Sequence, residues 1–158
     1  MRKFATSQAL LPEVGNTLGT SAWHQIDQQM IDRFAALGGD HQWIHRVGPQ
    51  ADRGPYGRPI AHGFLTLSLL NTMLDEVFQI GGVELTLNKG LDRLRFISPV
   101  PAEARIRATA VLTCFRPRPR GYSEATLHVT VEIEGHHRPA YTVDISVLYR
   151  VVYCSPPG

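Results

Sequence analysis

The sequence predicts one α+β domain in which a long antiparallel β-sheet wraps around a buried central α-helix. Residues 64–80 are apolar around most of a helical circumference, so a helix there must be buried on nearly all sides. The rest of the second half of the chain has the pattern of strands separated by turns. A chain of 158 residues with 43% hydrophobic content suits a single domain, residues 1–158, with an ordered core over about residues 20–153.

The first half of the chain predicts a strand, a helix and an overhanging loop. Residues 20–26 have strand character, and Asp27 is placed to cap a helix whose apolar residues recur at helical spacing as far as Leu37. The pair Gly38-Gly39 ends this helix. Residues 40–59 contain repeated proline and glycine, which predicts a loop with room for one short helical turn.

Five strands are predicted in the second half, at residues 83–88, 91–97, 105–115, 122–134 and 140–153. From Leu127 to Ile133 every second residue is aliphatic, and the residues between are polar. Because successive side chains of a strand point to opposite faces, one face of this strand is expected to be buried. Turns with proline or glycine separate the strands, including an arginine-rich turn at residues 116–121.

Charge and cysteine content argue against several classes of function. The 16 lysines and arginines and 14 acidic residues leave a net charge of only +2, so no basic field favours a nucleic-acid partner. Cys114 and Cys154 form no CxxC pair, which argues against a zinc ribbon and a disulfide scaffold. The sequence has no signal peptide and no run of 18 apolar residues, so we expect a soluble cytoplasmic protein without a membrane partner.

Two short segments carry the candidate chemistry. Asp40 and His45 lie five residues apart in a loop that begins with glycine, and Gly63 stands at the start of the apolar helix. A carboxylate, an imidazole and an approachable backbone N–H are the groups needed to move a proton and a water at a polarised carbonyl. Each residue also has a plainer interpretation: a turn aspartate after glycine, a satisfied histidine, and a glycine required for packing.

These segments and two others resemble those of the MaoC-like hydratases, the group that includes R-specific enoyl-CoA hydratases and bacterial 3-hydroxyacyl-thioester dehydratases. The resemblance rests on the order and spacing of four features: the Gly39-Asp40-x-x-x-x-His45 signature, the Pro-Ile-Ala-His-Gly segment at residues 59–63, the Gly-Leu-Asp-Arg-Leu-Arg-Phe segment at residues 90–96, and a last pair of long strands. It covers most of the chain and implies the hotdog fold, in which the sheet wraps around the central helix.

The resemblance implies a lyase that reversibly hydrates trans-2-enoyl thioesters to (R)-3-hydroxyacyl thioesters. In such chemistry His45 is the natural base for water, because an unperturbed imidazole has a pKa near 6.5. Asp40 would share that water and supply the proton to C2, which requires either a raised pKa or a proton received during turnover. The N–H of Gly63 would polarise the thioester carbonyl. Since both side chains act on one face of the substrate, we expect syn addition.

Four further residues are candidate substrate-binding residues: Asn71, His62, Phe64 and Trp43. By alignment from the start of the central helix, Asn71 takes the position of a serine that steadies the aspartate in some relatives. The Gln42-Trp43 pair replaces an Asn-Pro pair often found in the signature, and we expect it to reshape the pocket wall. We interpret His62 as a support that is hydrogen-bonded to the loop.

No metal and no separate cofactor are expected. His41 and His45 stand at i and i+4 but lack the glutamate of a His-Glu-x-x-His site, and no cysteine cluster joins the His136-His137 pair. Coenzyme A or phosphopantetheine enters only as part of the substrate. The arginine-rich run at residues 116–120 is either a solvated turn or a contact for the phosphates of that carrier. The resemblance also implies a homodimer or a dimer of dimers.

Two alternatives stay open at this point. A hotdog acyl-CoA thioesterase would use a carboxylate to activate water at the carbonyl carbon, and it would not need His45. A non-catalytic acyl-thioester-binding subunit would keep the fold without the chemistry. Asn71 slightly favours this second alternative, whereas the intact pair of Asp40 and His45 opposes it.

Overall fold

The main sheet is antiparallel and has six strands within residues 1–151, the part of the chain that the computed structural model describes. Its strands are β2 (Thr17–Thr20), β3 (His24–Ile26), β5 (Val83–Phe96), β6 (Ala104–Pro117), β7 (Tyr122–Ile133) and β8 (Tyr141–Val151). Their order across the sheet is β2, β6, β7, β8 and β5, and β3 also pairs with β6. Two short strands, β1 (Arg2–Phe4) and β4 (Phe78–Ile80), form a separate parallel pair. The predicted α+β class is confirmed.

The overhanging segment begins with α1 (Gln28–Gly38), which starts and ends where the sequence predicts. The Asp27 carboxylate accepts a hydrogen bond of 2.7 Å from the N–H of Met30. Gly39 closes the helix in the left-handed conformation, with a φ of 74°, which glycine adopts without steric cost. The following loop contains two short helical turns where one was predicted: a 3-10 turn at Trp43–His45 and α2 (Pro49–Asp52).

The central helix is present, but it is shorter than predicted and is divided in two. It consists of α3 (Gly63–Ser68) and α4 (Leu70–Val77), and the chain then leaves the helix to form β4. Phe78 is extended because β4 pairs with β1, and its ring packs edge-on against Phe4 with 6.3 Å between the ring centroids. This tertiary pairing outweighs the helical pattern of the sequence. The predicted helix over residues 64–80 is therefore wrong in its last turn.

The core lies between the inner face of the sheet and the central helix. The predicted alternation in β7 is confirmed, because its four aliphatic residues are at most 1% exposed: Leu127, Val129, Val131 and Ile133. Met73 and Val77 of α4 belong to the same buried cluster. Full burial of one such side chain stabilises the fold by about 1.5–3 kcal/mol. The helix is covered less completely than the predicted burial on nearly all sides, since Phe64 is 67% exposed.

Several predicted strand boundaries differ from the structure. Residues 20–26 are divided between β2 and β3, and residues 83–96 form the single strand β5, because Gly90 stays paired with Ser146. The predicted end of the last strand at Tyr153, and also Cys154, lie outside the described residues. β1, β4 and the 3-10 turn at Ser7–Glu13 were not predicted. No helix within residues 1–151 combines the length and the hydropathy needed to cross a membrane.

Candidate active site

His45 ends the 3-10 turn of the overhanging loop and is only 5% exposed. Its Nδ1 lies 2.7 Å from the carbonyl oxygen of Ile60. Because a carbonyl only accepts hydrogen bonds, Nδ1 carries the proton, and in the neutral ring Nε2 keeps its lone pair. Burial lowers the pKa of His45 below its ordinary value of 6.5, so the ring is neutral at neutral pH. The side chain therefore has the protonation state that a base for water needs.

Backbone contacts hold this histidine and its acceptor in place. Gln28, at the start of α1, donates from Nε2 to the carbonyl of His45 at 2.9 Å. The peptide that joins Ile60 to Ala61 donates its N–H to the carbonyl of Val100 at 2.8 Å. The carbonyl of that same peptide receives His45 Nδ1, so the sheet side of the molecule fixes the orientation of the ring.

Asp40 faces the free nitrogen of His45. Its Oδ2 lies 3.7 Å from His45 Nε2, which is longer than a hydrogen bond. The carboxylate accepts hydrogen bonds from the backbone N–H of Gln42 at 3.3 Å and from Gln42 Nε2 at 3.5 Å. These hydrogen bonds lower the pKa of Asp40 below its ordinary value of 3.8, so the group is ionised at neutral pH. Two ways for Asp40 to hold the proton for C2 were predicted. The lowered pKa contradicts the first, a raised pKa, and is compatible with the second, in which Asp40 receives the proton during turnover.

The contact of Gln42 with Asp40 was not predicted. In the sequence Gln42 is a departure from the family signature, whereas in the structure its backbone N–H and its Nε2 both donate to the Asp40 carboxylate. An aspartate that accepts the N–H two residues further on is ordinary turn chemistry, and this was the signal available in the sequence. The turn interpretation and the catalytic interpretation of Asp40 therefore describe the same geometry.

His62 is buried and contacts both members of the pair. Its ring stacks on that of His45, with 3.6 Å between the centroids and 25° between the planes. Its Nε2 donates to the backbone carbonyl of Asp40 at 3.0 Å, which is the kind of contact predicted between His62 and the loop. On its other side the ring lies 5.2 Å from that of Phe34 in α1. His62 thus ties the loop that carries Asp40 to the start of the central helix.

Gly63 begins α3 and packs against a ring from the sheet. A Cβ at this position would lie 2.9 Å from the nearest atom of the Phe96 ring, so any larger residue would displace that ring. The N–H of Gly63 belongs to the first turn of the helix, where N–H groups have no partner within the helix. Because α3 has only six residues, this N–H itself matters more than the helix dipole.

A cavity of about 400 Å³ lies between His45, Gly63 and the end of β5, and Asp40 and His62 are not among the residues that line it. His45 and Gly63 line it, and most of its wall is apolar, including Ile60, Phe64, Phe96 and Val100. The rings of Phe64 and Phe96 stand edge to face with 6.1 Å between their centroids, and they are 67% and 49% exposed. A concave apolar pocket with a few polar groups is typical of a small-molecule site.

Trp43 does not line this cavity, although the sequence analysis placed it on the pocket wall. A Cβ on Gly54 would lie 2.7 Å from the indole of Trp43, so the indole packs tightly against α2 and the turn after it. The Trp43 side chain therefore packs within the loop that carries His45 and supports it on the side away from the cavity.

Asn71 also lies apart from the cavity. It is exposed on α4 and lines a second cavity with Asp75, Asn88 and Tyr149. The hydrogen bonds described for the Asp40 carboxylate come from its own loop. The predicted role of Asn71 in steadying Asp40 thus has no supporting contact within residues 1–151, because the alignment fixed a position in the helix and not the direction of its side chain.

Asp40, His45 and His62 offer possible metal-ligand atoms within 4.8 Å of one another. The set fits a metal poorly, because the two rings stack nearly face to face and their in-plane lone pairs cannot converge on one ion. One nitrogen of each ring is also committed to a backbone carbonyl. The arrangement suits proton transfer better than metal binding.

The arginine-rich run lies away from the cavity, at the far end of β6. Arg118 donates from Nε to the carboxylate of Glu124 at 2.7 Å, and Lys89 Nζ lies 2.9 Å from the same carboxylate. The hydrogen bond from Lys89, joined by that from Arg118, lowers the pKa of Glu124 below its ordinary value although burial opposes the shift. Arg118 therefore takes part in an ion pair within the sheet and is not a freely solvated turn residue.

The geometry agrees with what the chain resembles among known proteins. Residues 9–134 match the family described as MaoC like domain. The chain is 40% identical over 149 residues to 3-hydroxyacyl-thioester dehydratase Z of Mycobacterium tuberculosis, covering 94% of this chain and 99% of the relative. It is 46% identical over 134 residues to nodulation protein N of Rhizobium leguminosarum bv. viciae, covering 83% of each chain.

The fold is also that of solved proteins with low sequence identity. The R-hydratase PhaJ1 from Pseudomonas aeruginosa superimposes with a TM-score of 0.70 at 19% identity, covering 98% of this chain and 95% of the hydratase. At this identity the similarity establishes the hotdog fold alone. Together with the match over residues 9–134 and the relative that is 40% identical over nearly its whole length, it leads to one conclusion. The chain belongs to the MaoC-like dehydratase family.

Proposed function

We propose that this protein reversibly hydrates trans-2-enoyl-CoA thioesters to (R)-3-hydroxyacyl-CoA thioesters. One observation carries the proposal: a buried neutral His45 lines an apolar cavity, and its free Nε2 faces an ionised Asp40 that lies behind it. The relative named 3-hydroxyacyl-thioester dehydratase Z supports the substrate class. The R configuration follows the related hydratases.

The resting protonation states of His45 and Asp40 suit the addition of one water. His45 Nε2 takes a proton from water as the oxygen attacks C3, and the imidazolium that forms faces the negative Asp40 carboxylate. Asp40 is ionised at rest, so it receives this proton from His45 and delivers it to C2. The hydroxyl and the hydrogen that add to the double bond thus come from one water on one face, which gives syn addition.

The charge that develops on the thioester oxygen needs a donor on the opposite side of the reacting carbons. Gly63 supplies one, because its N–H belongs to the first turn of α3 and its residue lines the cavity. The absence of a side chain lets a ligand approach this N–H closely. In this role Phe64, the next residue, forms part of the apolar wall for the substrate.

A homodimer, or a dimer of such dimers, completes the proposed active unit. Strand β5 lies at one edge of the sheet, and no residue of its 14 is buried in the single chain. Leu91, Phe96 and Phe64 are exposed close to this edge, at 43%, 49% and 67%. A long unpaired edge with apolar neighbours is a template for strand pairing. We propose that two β5 edges meet and that the partner covers the open side of the cavity.

The proposed reaction is tested by following the loss of enoyl absorbance with crotonyl-CoA and longer trans-2-enoyl-CoAs. Asp40→Asn and His45→Ala are each expected to lower kcat by at least about 100-fold, because each removes a proton-transfer group. His41→Ala is the matched control, since His41 is an exposed histidine beside Asp40 and is expected to keep activity within about twofold. The proposal fails if the wild type hydrates no chain length, or if both site variants keep full activity. Release of free thiol without hydration would indicate a thioesterase.

The pH dependence of kcat/KM follows from the state of His45. The base is active when neutral, and burial holds the pKa of His45 below 6.5, so activity is lost only as the pH falls through that lower value. We expect kcat/KM for crotonyl-CoA to be level near pH 7, with an acid limb whose apparent pKa lies below 6.5. An acid limb at or above this value would contradict a histidine that is neutral because it is buried.

The proposed interface is tested by light scattering on the purified protein. The wild type is expected to have twice or four times the chain mass of 17.6 kDa. Leu91→Asp, which places a charge on the β5 edge, is expected to lower the mass towards that of one chain. Leu37→Asp is the control, because Leu37 is 85% exposed on α1, away from β5. A monomeric wild type, or equal masses for both variants and the wild type, would contradict the interface.

A further inference from the structure

Arg93, in the middle of the edge strand β5, has an unusual backbone conformation. Its φ is +52°, in the left-handed region that residues with a side chain rarely adopt. Strained residues of this kind persist where the surrounding structure fixes them, and they cluster near functional sites. Arg93 is three residues from Phe96, whose ring lies against Gly63 at the wall of the cavity.

The strained residue belongs to a β-bulge. Along the pairing of β5 with β8, Asp92 is opposite Asp144 and Arg95 is opposite Thr142, so three steps along β5 match two steps along β8. One extra residue is therefore inserted between Asp92 and Arg95. An insertion of one residue reverses which face of the sheet every later side chain occupies.

This reversal decides the position of Phe96. Asp92 is opposite Asp144, which lies between the core residues Val143 and Ile145 and therefore points to the outer face of the sheet. In a regular strand Phe96 would share the face of Asp92, since the two are four residues apart. With the bulge it is opposite Tyr141 and faces inwards, 5.9 Å from the Tyr141 ring between centroids.

An ion pair on the outer face fixes the side chain of Arg93. Arg93 Nε donates to Oδ2 of Asp144 at 2.6 Å, and the other carboxylate oxygen lies 2.7 Å from Nδ1 of His128. The Asp144 side chain is only 6% exposed, so its carboxylate is a buried acceptor that both partners satisfy. Neither Arg93 nor Asp144 lines the cavity at the site.

We propose that Arg93 is a positioning residue: its left-handed bulge turns Phe96 inwards to seat Gly63 and shape the wall of the cavity. The proposal rests on the proposed hydratase function, because it assigns the bulge a role in placing the Gly63 N–H. Its effect on turnover runs through the backbone conformation of residue 93 and not through the charge of the guanidinium.

Two substitutions at residue 93 remove the charge equally but differ in whether they tolerate a positive φ, so they separate the effect of backbone conformation from that of charge. Glycine adopts a positive φ freely, so Arg93→Gly is expected to keep the bulge and to retain kcat for crotonyl-CoA within about threefold. Valine is strongly disfavoured there, so Arg93→Val is expected to shift the bulge and to lower kcat by about tenfold or more, with a smaller change in KM. Arg95→Val, in the same strand but at a residue without a positive φ, is the control and is expected to keep kcat within about threefold.

An equal loss of kcat in Arg93→Gly and Arg93→Val would overturn the proposal. Both variants lack the guanidinium charge, so an equal loss would indicate that the charge matters, as in binding an anionic part of the substrate, and not the backbone conformation. Equal retention in both would overturn it too. If Arg93→Val does not fold, Arg93→Ala takes its place, since alanine also resists a positive φ and should fall below the glycine variant.

A readout without turnover separates failure of this proposal from failure of the proposed function. The protein is labelled with 4-fluorophenylalanine, and the fluorine resonance of Phe96 is assigned by its loss in Phe96→Leu. The Phe96 resonance is expected to keep its position in Arg93→Gly and to move in Arg93→Val. If the wild type is inactive on every enoyl-CoA while this contrast is observed, the proposed function fails and the structural role of the bulge stands. An unmoved resonance in Arg93→Val would refute the role of the bulge whatever the activity.

Discussion

The hydrogen bond from His45 Nδ1 to the carbonyl of Ile60 is the contact on which the rest of the site depends. It sets the tautomer of the imidazole, and therefore it decides that the nitrogen facing Asp40 is the one with a free lone pair. The opposite tautomer would leave Nδ1 and the carbonyl oxygen as two acceptors 2.7 Å apart in a buried place. The same peptide is bound to Val100 through its N–H, so the body of the domain and not the loop orients the base.

The site divides its tasks between two parts of the chain. In the proposed mechanism the overhanging loop supplies the proton-transfer groups, and a loop can bring a carboxylate and an imidazole together only if its ends are fixed. Gln28 of α1 and the stacked ring of His62 provide that fixation. The central helix and β5 supply the rigid wall, where Gly63 and Phe96 are in close contact. The loop groups thus rest on a rigid scaffold, as pre-organised sites require.

Much of this arrangement could be predicted from the sequence, because hydrophobic period and turn residues act locally. The cap at Asp27 and the alternation of β7 were found for that reason. The extension of Phe78 could not be found, because it depends on pairing with Phe4 from the far end of the chain. The bulge at Arg93 has no glycine to mark it, and the side-chain direction of Asn71 needs coordinates. In the site, the spacing of the signature residues predicted that Asp40 and His45 would lie close together, whereas the direction of the pKa shift of Asp40 depends on its contacts with Gln42.

The central claim is that the Ile60 carbonyl presets His45 as a base, and the tautomer of His45 tests it most directly. In protein labelled with ¹⁵N-histidine, long-range proton–nitrogen correlation spectra distinguish a protonated from an unprotonated ring nitrogen, and loss of one of the seven histidine spin systems in His45→Ala assigns the residue. The account predicts a neutral ring at neutral pH with the proton on Nδ1 and a free Nε2. A ring protonated on Nε2, or on both nitrogens, would contradict it.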